Sequence, residues 1–322
     1  MWMQKKFTPT FLRRNSQRLI KFFAFSRKMK NLFLFVFLSV FSVGAFSDYK
    51  SDQATTIVDV DGVSIAYTTA GEEESPSVLM IMGLMASHRV WPEEIVNEFV
   101  NAGYRVVLFD NRDTGDSDRL DRLGKPRLWW KFLVNSLGFG VNAPYTLLDM
   151  AEDGIGILDA LEIQSAHIVG ASMGGMIAQT IASEYPDRTK SLVSIMSTTG
   201  ARHLPEMTNE TEGNFRNFGE GNFEEIDVEQ MHSYGFYPES MPRQLTAIFH
   251  AGDRSEQVKN INVKTLVQHG ANDPLLPPDH GRHTAELIQG SKLIIYERMG
   301  HDLPAEVLPA VISDMLDFFG ET

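Results

Sequence analysis

The chain has 322 residues, 43% of them hydrophobic and 22% charged, with no cysteine and a formal charge of −13. That composition suits one large globular core, and the lack of cysteine excludes disulfides and thiolate metal sites. The acidic balance sets the body against phosphate backbones and anionic lipid surfaces, so nucleic acid is not expected as a partner.

Residues 1–47 carry nine Lys or Arg and no acidic side chain, and they end in an almost wholly apolar run over 32–46. A basic stretch, an apolar run and small residues at Val43-Gly44-Ala45 or Ala45-Phe46-Ser47 read together as a secretory signal, for which Met29-Lys30-Asn31 makes the more ordinary start. The run is short for a membrane span, which typically needs ~20 residues. An uncleaved inner-membrane anchor is the alternative. The expectation is an exported protein, periplasmic or secreted, whose only membrane contact is through this segment. Without it, 20 basic side chains face 42 acidic ones, a balance of −22.

From about residue 55, short apolar runs alternate with amphipathic stretches. Strands are expected at 56–60, 63–68, 78–82, 105–110, 167–170, 191–196, 264–269 and 292–296. Helices are expected at 92–102, 147–161, 173–185, 281–288 and 305–319. Strands rich in Val, Ile and Leu that alternate with helices imply a mostly parallel eight-stranded sheet with helices on both faces. The first two runs, joined at Asp61-Gly62, read as an antiparallel hairpin.

Two stretches break the rhythm of this α/β domain, taken as 48–322. Residues 119–146 hold Trp129, Trp130, Phe132, Leu133 and Phe139 beside Arg119, Arg122, Lys125, Arg127 and Lys131. They read as a lid over an apolar pocket, with Trp129 and Trp130 as candidate pocket residues. A helix whose aromatics pack on the core is the competing reading. Residues 199–257 are rich in Gly, Asn and Glu before turning helical around 242–251, and read as a small cap insertion over the active-site face.

The strongest motif is Gly170-Ala171-Ser172-Met173-Gly174-Gly175, which follows an apolar run and opens a helical pattern. Gly-x-Ser-x-Gly in that strand–turn–helix setting is a nucleophile elbow. The serine sits on a tight turn with its hydroxyl clear of the sheet, and glycines occupy the flanking places where side chains would collide. The Met173 N–H, at the helix start, is then available to an oxyanion.

A serine nucleophile needs a base, and the base needs an orienting acid. His301 follows the last expected strand, and Asp273, in Gly270-Ala271-Asn272-Asp273-Pro274, follows the one before it. The order Ser172, Asp273, His301 is the order this architecture uses, and all three lie on loops after strand carboxyl ends. His269 is a rival base but reads better as a packed strand residue. Asp302 adjoins His301 and is poorly placed to face it. The loop Ser197-Thr198-Thr199-Gly200 offers no carboxylate. A second oxyanion donor is expected from Met82-Gly83-Leu84-Met85-Ala86-Ser87-His88. Gly83 permits the sharp turn, the Leu84 N–H is the first choice and Met85 the second. Met85 and His88 are also candidate pocket residues, although a surface position is the favoured reading of His88.

Met82-Gly83, Trp91-Pro92, Asp110-Asn111-Arg112-Asp113-Thr114-Gly115, the elbow and Gly300-His301-Asp302-Leu303-Pro304 together resemble the bacterial α/β-hydrolases related to aclacinomycin methylesterase. The likeness spans roughly residues 55–200 and 240–320. It implies the α/β-hydrolase fold and hydrolysis of a small-molecule carboxylic ester, a methyl or short-chain ester among the candidates, without metal or organic cofactor. It also implies that Asp110, Arg112 and Asp113 brace the loop beneath the site. The chain departs from that group in its N-terminal segment and in a shorter, more polar 199–240 region, and because caps choose substrates the resemblance alone does not fix the substrate. The same triad serves carbon–carbon bond hydrolases, lactonases and cofactor-free perhydrolases. A non-catalytic binding protein on this scaffold is the alternative of a different class. Dehalogenase and epoxide-hydrolase chemistry would need a carboxylate where Ser172 stands.

Overall fold

The computed structural model describes residues 55–128, 130, 131, 134, 139–208, 228–237 and 240–321. The expected signal segment, Trp129, Phe132 and Leu133 lie outside the described residues. Eight strands form one sheet: β1 (Thr56–Val60), β2 (Val63–Ala70), β3 (Ser77–Ile81), β4 (Arg105–Phe109), β5 (Ala166–Ala171), β6 (Thr189–Ile195), β7 (Thr265–Gly270) and β8 (Lys292–Tyr296). Their order across the sheet is β1-β2-β4-β3-β5-β6-β7-β8. β2 runs antiparallel to both β1 and β4, and every later pairing is parallel.

The helices are α1 (Glu93–Asn101), α2 (Leu147–Ala160), α3 (Met173–Glu184), α4 (Val228–Ser233), α5 (Met241–Ala251), α6 (Ser255–Lys259), α7 (Asp279–Leu287) and α8 (Leu308–Gly320). Alternation along the strands divides the apolar residues between two layers, because successive side chains leave a strand on opposite faces. Val78, Met80, Val106 and Leu108 join Ile95 and Phe99 of α1 and Val311 and Met315 of α8. Leu79, Ile81, Val107 and Phe109 join Met150 of α2 and Ile177 and Ile181 of α3. Each such fully buried side chain contributes about 1.5–3 kcal/mol relative to exposure.

α2 starts where it does because Thr146 and Asp149 form a reciprocal capping box. The Thr146 Oγ1 accepts the Asp149 N–H at 3.2 Å and the Asp149 Oδ2 accepts the Thr146 N–H at 2.6 Å, satisfying two donors the helix leaves open. Within 119–146, a 3-10 turn at Asp121–Leu123 precedes helical residues at 128, 130, 131 and 134. Trp130 and Phe139 in that stretch are 51% and 66% exposed. Within 199–257, α4 and α5 lie on the side of the sheet that carries the loops after the strand carboxyl ends. There Met231, Phe236 and Met241 share a buried cluster with Met82, Met85 and Ala86.

Candidate active site

Ser172 links β5 to α3 with φ 56° and ψ −119°. A non-glycine residue held there stores roughly 1–3 kcal/mol of strain and persists only where its surroundings over-determine it. Two bonds do so: the Ser172 N–H donates to Ile195 O at 2.9 Å and the Ser197 hydroxyl donates to Ser172 O at 2.8 Å. The flanking glycines are enforced by backbone as well. A Cβ at Gly170 would lie 2.2 Å from Gly174 O, and one at Gly174 would lie 2.1 Å from Ile81 O.

The loops after β5, β7 and β8 bring Ser172, Asp273 and His301 into one hydrogen-bonded chain. His301 Nε2 is 2.9 Å from Ser172 Oγ, and His301 Nδ1 is 2.7 Å from Asp273 Oδ2. Because the carboxylate can only accept, Nδ1 carries the proton and Nε2 is left to accept from the serine hydroxyl. The other Asp273 oxygen accepts the Leu275 and Leu276 N–H groups at 2.9 and 2.8 Å. Burial works to raise the Asp273 pKa. Attraction to His301 and hydrogen bonds from His269 and His301 outweigh it and hold the carboxyl well below the usual carboxylate range.

His269 is fully buried on β7, in line with a packed strand residue, but it does more than pack. Its Nε2 lies 2.8 Å from Leu276 O and 3.3 Å from Asp273 Oδ2, making it a second imidazole against the acid. Asp302 accepts the Gly300 N–H at 3.1 Å, while the His301 ring nitrogens take Ser172 and Asp273 as their hydrogen-bond partners.

The oxyanion loop passes directly over the serine. A Cβ at Gly83 would come 3.2 Å from Ser172 Cβ and 3.6 Å from its Oγ. The Leu84 and Met173 N–H groups have no acceptor among the described residues. Met85 differs: its N–H donates to Gln244 Oε1 at 2.8 Å, so the second-choice donor is already engaged. His88 also departs from expectation. It is buried, its N–H and its Nδ1 lie 2.7 and 2.8 Å from Asp110 Oδ1, and its ring is committed to that carboxylate rather than to the surface or the pocket mouth. Trp130 is half-exposed.

The Asp110–Gly115 turn is braced as expected and is also clamped from α5. Asp110 accepts from His88 and from the Asp116 N–H at 2.8 Å. Arg112 pairs with both oxygens of Asp153 at 2.7 and 2.8 Å. Asp113 receives the Leu120 N–H, the Tyr145 hydroxyl and two guanidinium bonds from Arg243 at 2.8 and 2.7 Å. Arg243 and Gln244 have no local sequence signal as site residues; only their distant partners reveal them.

Comparison with known proteins agrees with this architecture. A family described as alpha/beta hydrolase fold matches residues 76–227. A rhodomycin D methylesterase of Streptomyces sp. (strain C5) is 27% identical over 297 residues, covering 79% of this chain and 94% of its own. A 2-hydroxy-6-oxo-6-phenylhexa-2,4-dienoate hydrolase of Comamonas testosteroni is 28% identical over 271 residues, covering 76% and 86%. A solved hydrolase from Pseudomonas aeruginosa PA01 superposes with a TM-score of 0.60 at 24% identity, over 84% of this chain and 99% of its own. Strand order, elbow, loop chemistry and these similarities identify the chain as an α/β-hydrolase-fold protein resembling the rhodomycin D methylesterases.

Proposed function

We infer that the chain is a serine hydrolase that cleaves a carboxylic ester through an acyl-enzyme on Ser172. The observation that carries this is the continuous chain from Ser172 Oγ through His301 to Asp273, set under the Gly83 turn. Ser172 Oγ attacks the ester carbonyl while its proton passes to His301 Nε2. The electrons of the carbonyl π bond move to oxygen, which the Leu84 and Met173 N–H groups receive. Collapse breaks the bond to the alcohol oxygen, and His301 returns its proton to that leaving group. Water then attacks the acyl carbonyl, again losing its proton to His301, and the acid departs as Ser172 regains its hydrogen. The buried anion of Asp273 stabilises the imidazolium formed in each half-reaction.

Similarity to the rhodomycin D methylesterases supports a methyl ester, or another ester with a short alcohol, as the substrate. Similarity to the dienoate hydrolase supports a second reading, in which the same triad acts on a 2-hydroxy-6-oxo-dienoate. The composition of residues 1–47 supports export, with this segment as signal or anchor. A fluorophosphonate probe should label the parent and not Ser172→Ala, and the substitution should remove ~10³-fold or more of turnover. A Ser172→Ala variant at full rate would sink the scheme. A panel of methyl esters, short-chain esters and the dienoate separates the two substrate readings.

A further inference from the structure

We propose that Gln244 of α5 is the positioning residue of the oxyanion loop, holding the Met85 N–H aside so that Leu84 is the loop's donor to the reacting carbonyl. The proposal rests on the serine-hydrolase reading and deepens it. Met85 is not glycine, yet it sits at φ 62°. Such a residue must be held there from outside. The turn is closed by the Ala86 N–H donating to Gly83 O at 3.2 Å. A second restraint comes from a residue 159 positions away, since the Met85 N–H donates to Gln244 Oε1 at 2.8 Å.

Gln244 is itself fully buried and held at both ends. Its Nε2 donates to Arg112 O at 3.0 Å. Reversing the amide would set two donors against each other at Met85 and two oxygens against each other at Arg112, so only one orientation satisfies the pair. Both attachment points are rigid: Arg112 is paired with Asp153, and the preceding residue, Arg243, fixes the first turn of α5 on Asp113. The loop therefore offers two adjacent N–H groups with different fates. One is bonded inside the protein; the other, on Leu84, follows the glycine that overlies Ser172.

The test compares Gln244→Met, which keeps the volume but makes neither bond, and Gln244→Asn, polar but one methylene too short to hold both partners. For the apolar variant kcat should fall on the order of 10- to 100-fold, the range for a displaced oxyanion donor, with KM little changed. A trifluoromethyl ketone, which forms an oxyanion on the serine, should lose affinity by the same factor as kcat/KM. Gln244→Asn should show the same split to a smaller degree, and it decides the matter if the apolar variant does not fold. Folded variants with unchanged kcat and inhibitor affinity, or a loss carried wholly by KM, would overturn the role of Gln244. A parent that neither labels with fluorophosphonate nor turns over esters would overturn the serine-hydrolase reading beneath it.

Discussion

Replacing Arg243 by Leu removes the cation that joins α5 to the Asp113 turn, and the cost can be worked from the contacts. Arg243 and Asp113 side chains are both fully buried and share two bonds at 2.7 and 2.8 Å. Arg243 also reaches Asp121, Ser240 and Gly124 O at 3.0, 3.2 and 3.1 Å. Without it, Asp113 keeps, among the described residues, the Leu120 N–H and the Tyr145 hydroxyl, two neutral donors for a buried charge. Breaking a buried pair from one side costs about 3–5 kcal/mol, whereas removing both charges costs far less. Urea unfolding should therefore show Arg243→Leu strongly destabilised. Adding Asp113→Asn to it should restore about 0.5–3 kcal/mol, the usual coupling between contacting residues. A loss below about 1 kcal/mol for the single variant, or strict additivity in the double, would refute the reasoning.

Three further outcomes follow from the geometry. In Asp273→Asn, the Leu275 and Leu276 N–H groups claim the amide oxygen, so the amide NH2 meets His301 Nδ1 and drives the ring proton to Nε2; kcat should fall on the order of 10³- to 10⁴-fold with expression and folding retained, and a fall below tenfold would count against the assigned tautomer. Gly83→Ala places a methyl 3.2 Å from Ser172 Cβ and 3.3 Å from Ala171 O; ester turnover should drop roughly 10-fold or more as the loop shifts by a few tenths of an ångström, and an unaffected kcat would show that the loop has slack. His167, on β5 at 2.7 Å from Ser191 Oγ, has its pKa lowered to about 4 by burial, with repulsion from Lys190 added. Its folded value lies below the unfolded one, so its contribution is fully present above about pH 6.5 and is lost as pH falls toward 4, about 3 kcal/mol in all; urea midpoints for His167→Gln should decline less over that window, and parallel slopes would reject the assignment.

The parts of the fold carried by short-range patterns were legible in the sequence. The outer strands β1 and β8 fall at the expected residues, because apolar runs bounded by turns need no distant partner to be recognised. Helix starts moved. The helix expected from 305 begins at Leu308, where Pro309 occupies the first turn, and the one expected from 281 begins at Asp279, directly after Pro277-Pro278. Ser172, Asp273 and His301 each sit in a loop with its own local signature, which is why three residues up to 129 positions apart were candidates for one site. His88 departs from the expected surface or mouth position because its burial depends on Asp110, 22 residues further on. Gln244 and Arg243 carry no signal in the sequence, since an amide and a guanidinium on an amphipathic helix resemble any solvated pair until Met85 and Asp113 arrive against them.

The first turn of α5 has a bearing on how this scaffold changes its substrate. Two successive side chains there reach into different loops, one gripping the turn after β4 and the other the turn after β3. α5 thus fastens two loops of the sheet's carboxyl end at once. A cap grafted from a relative would have to bring an Arg-Gln pair in the same register, or be matched by changes at Asp113 and Met85. Otherwise Asp113 would be left a buried carboxylate without its cation and Met85 without its side-chain partner.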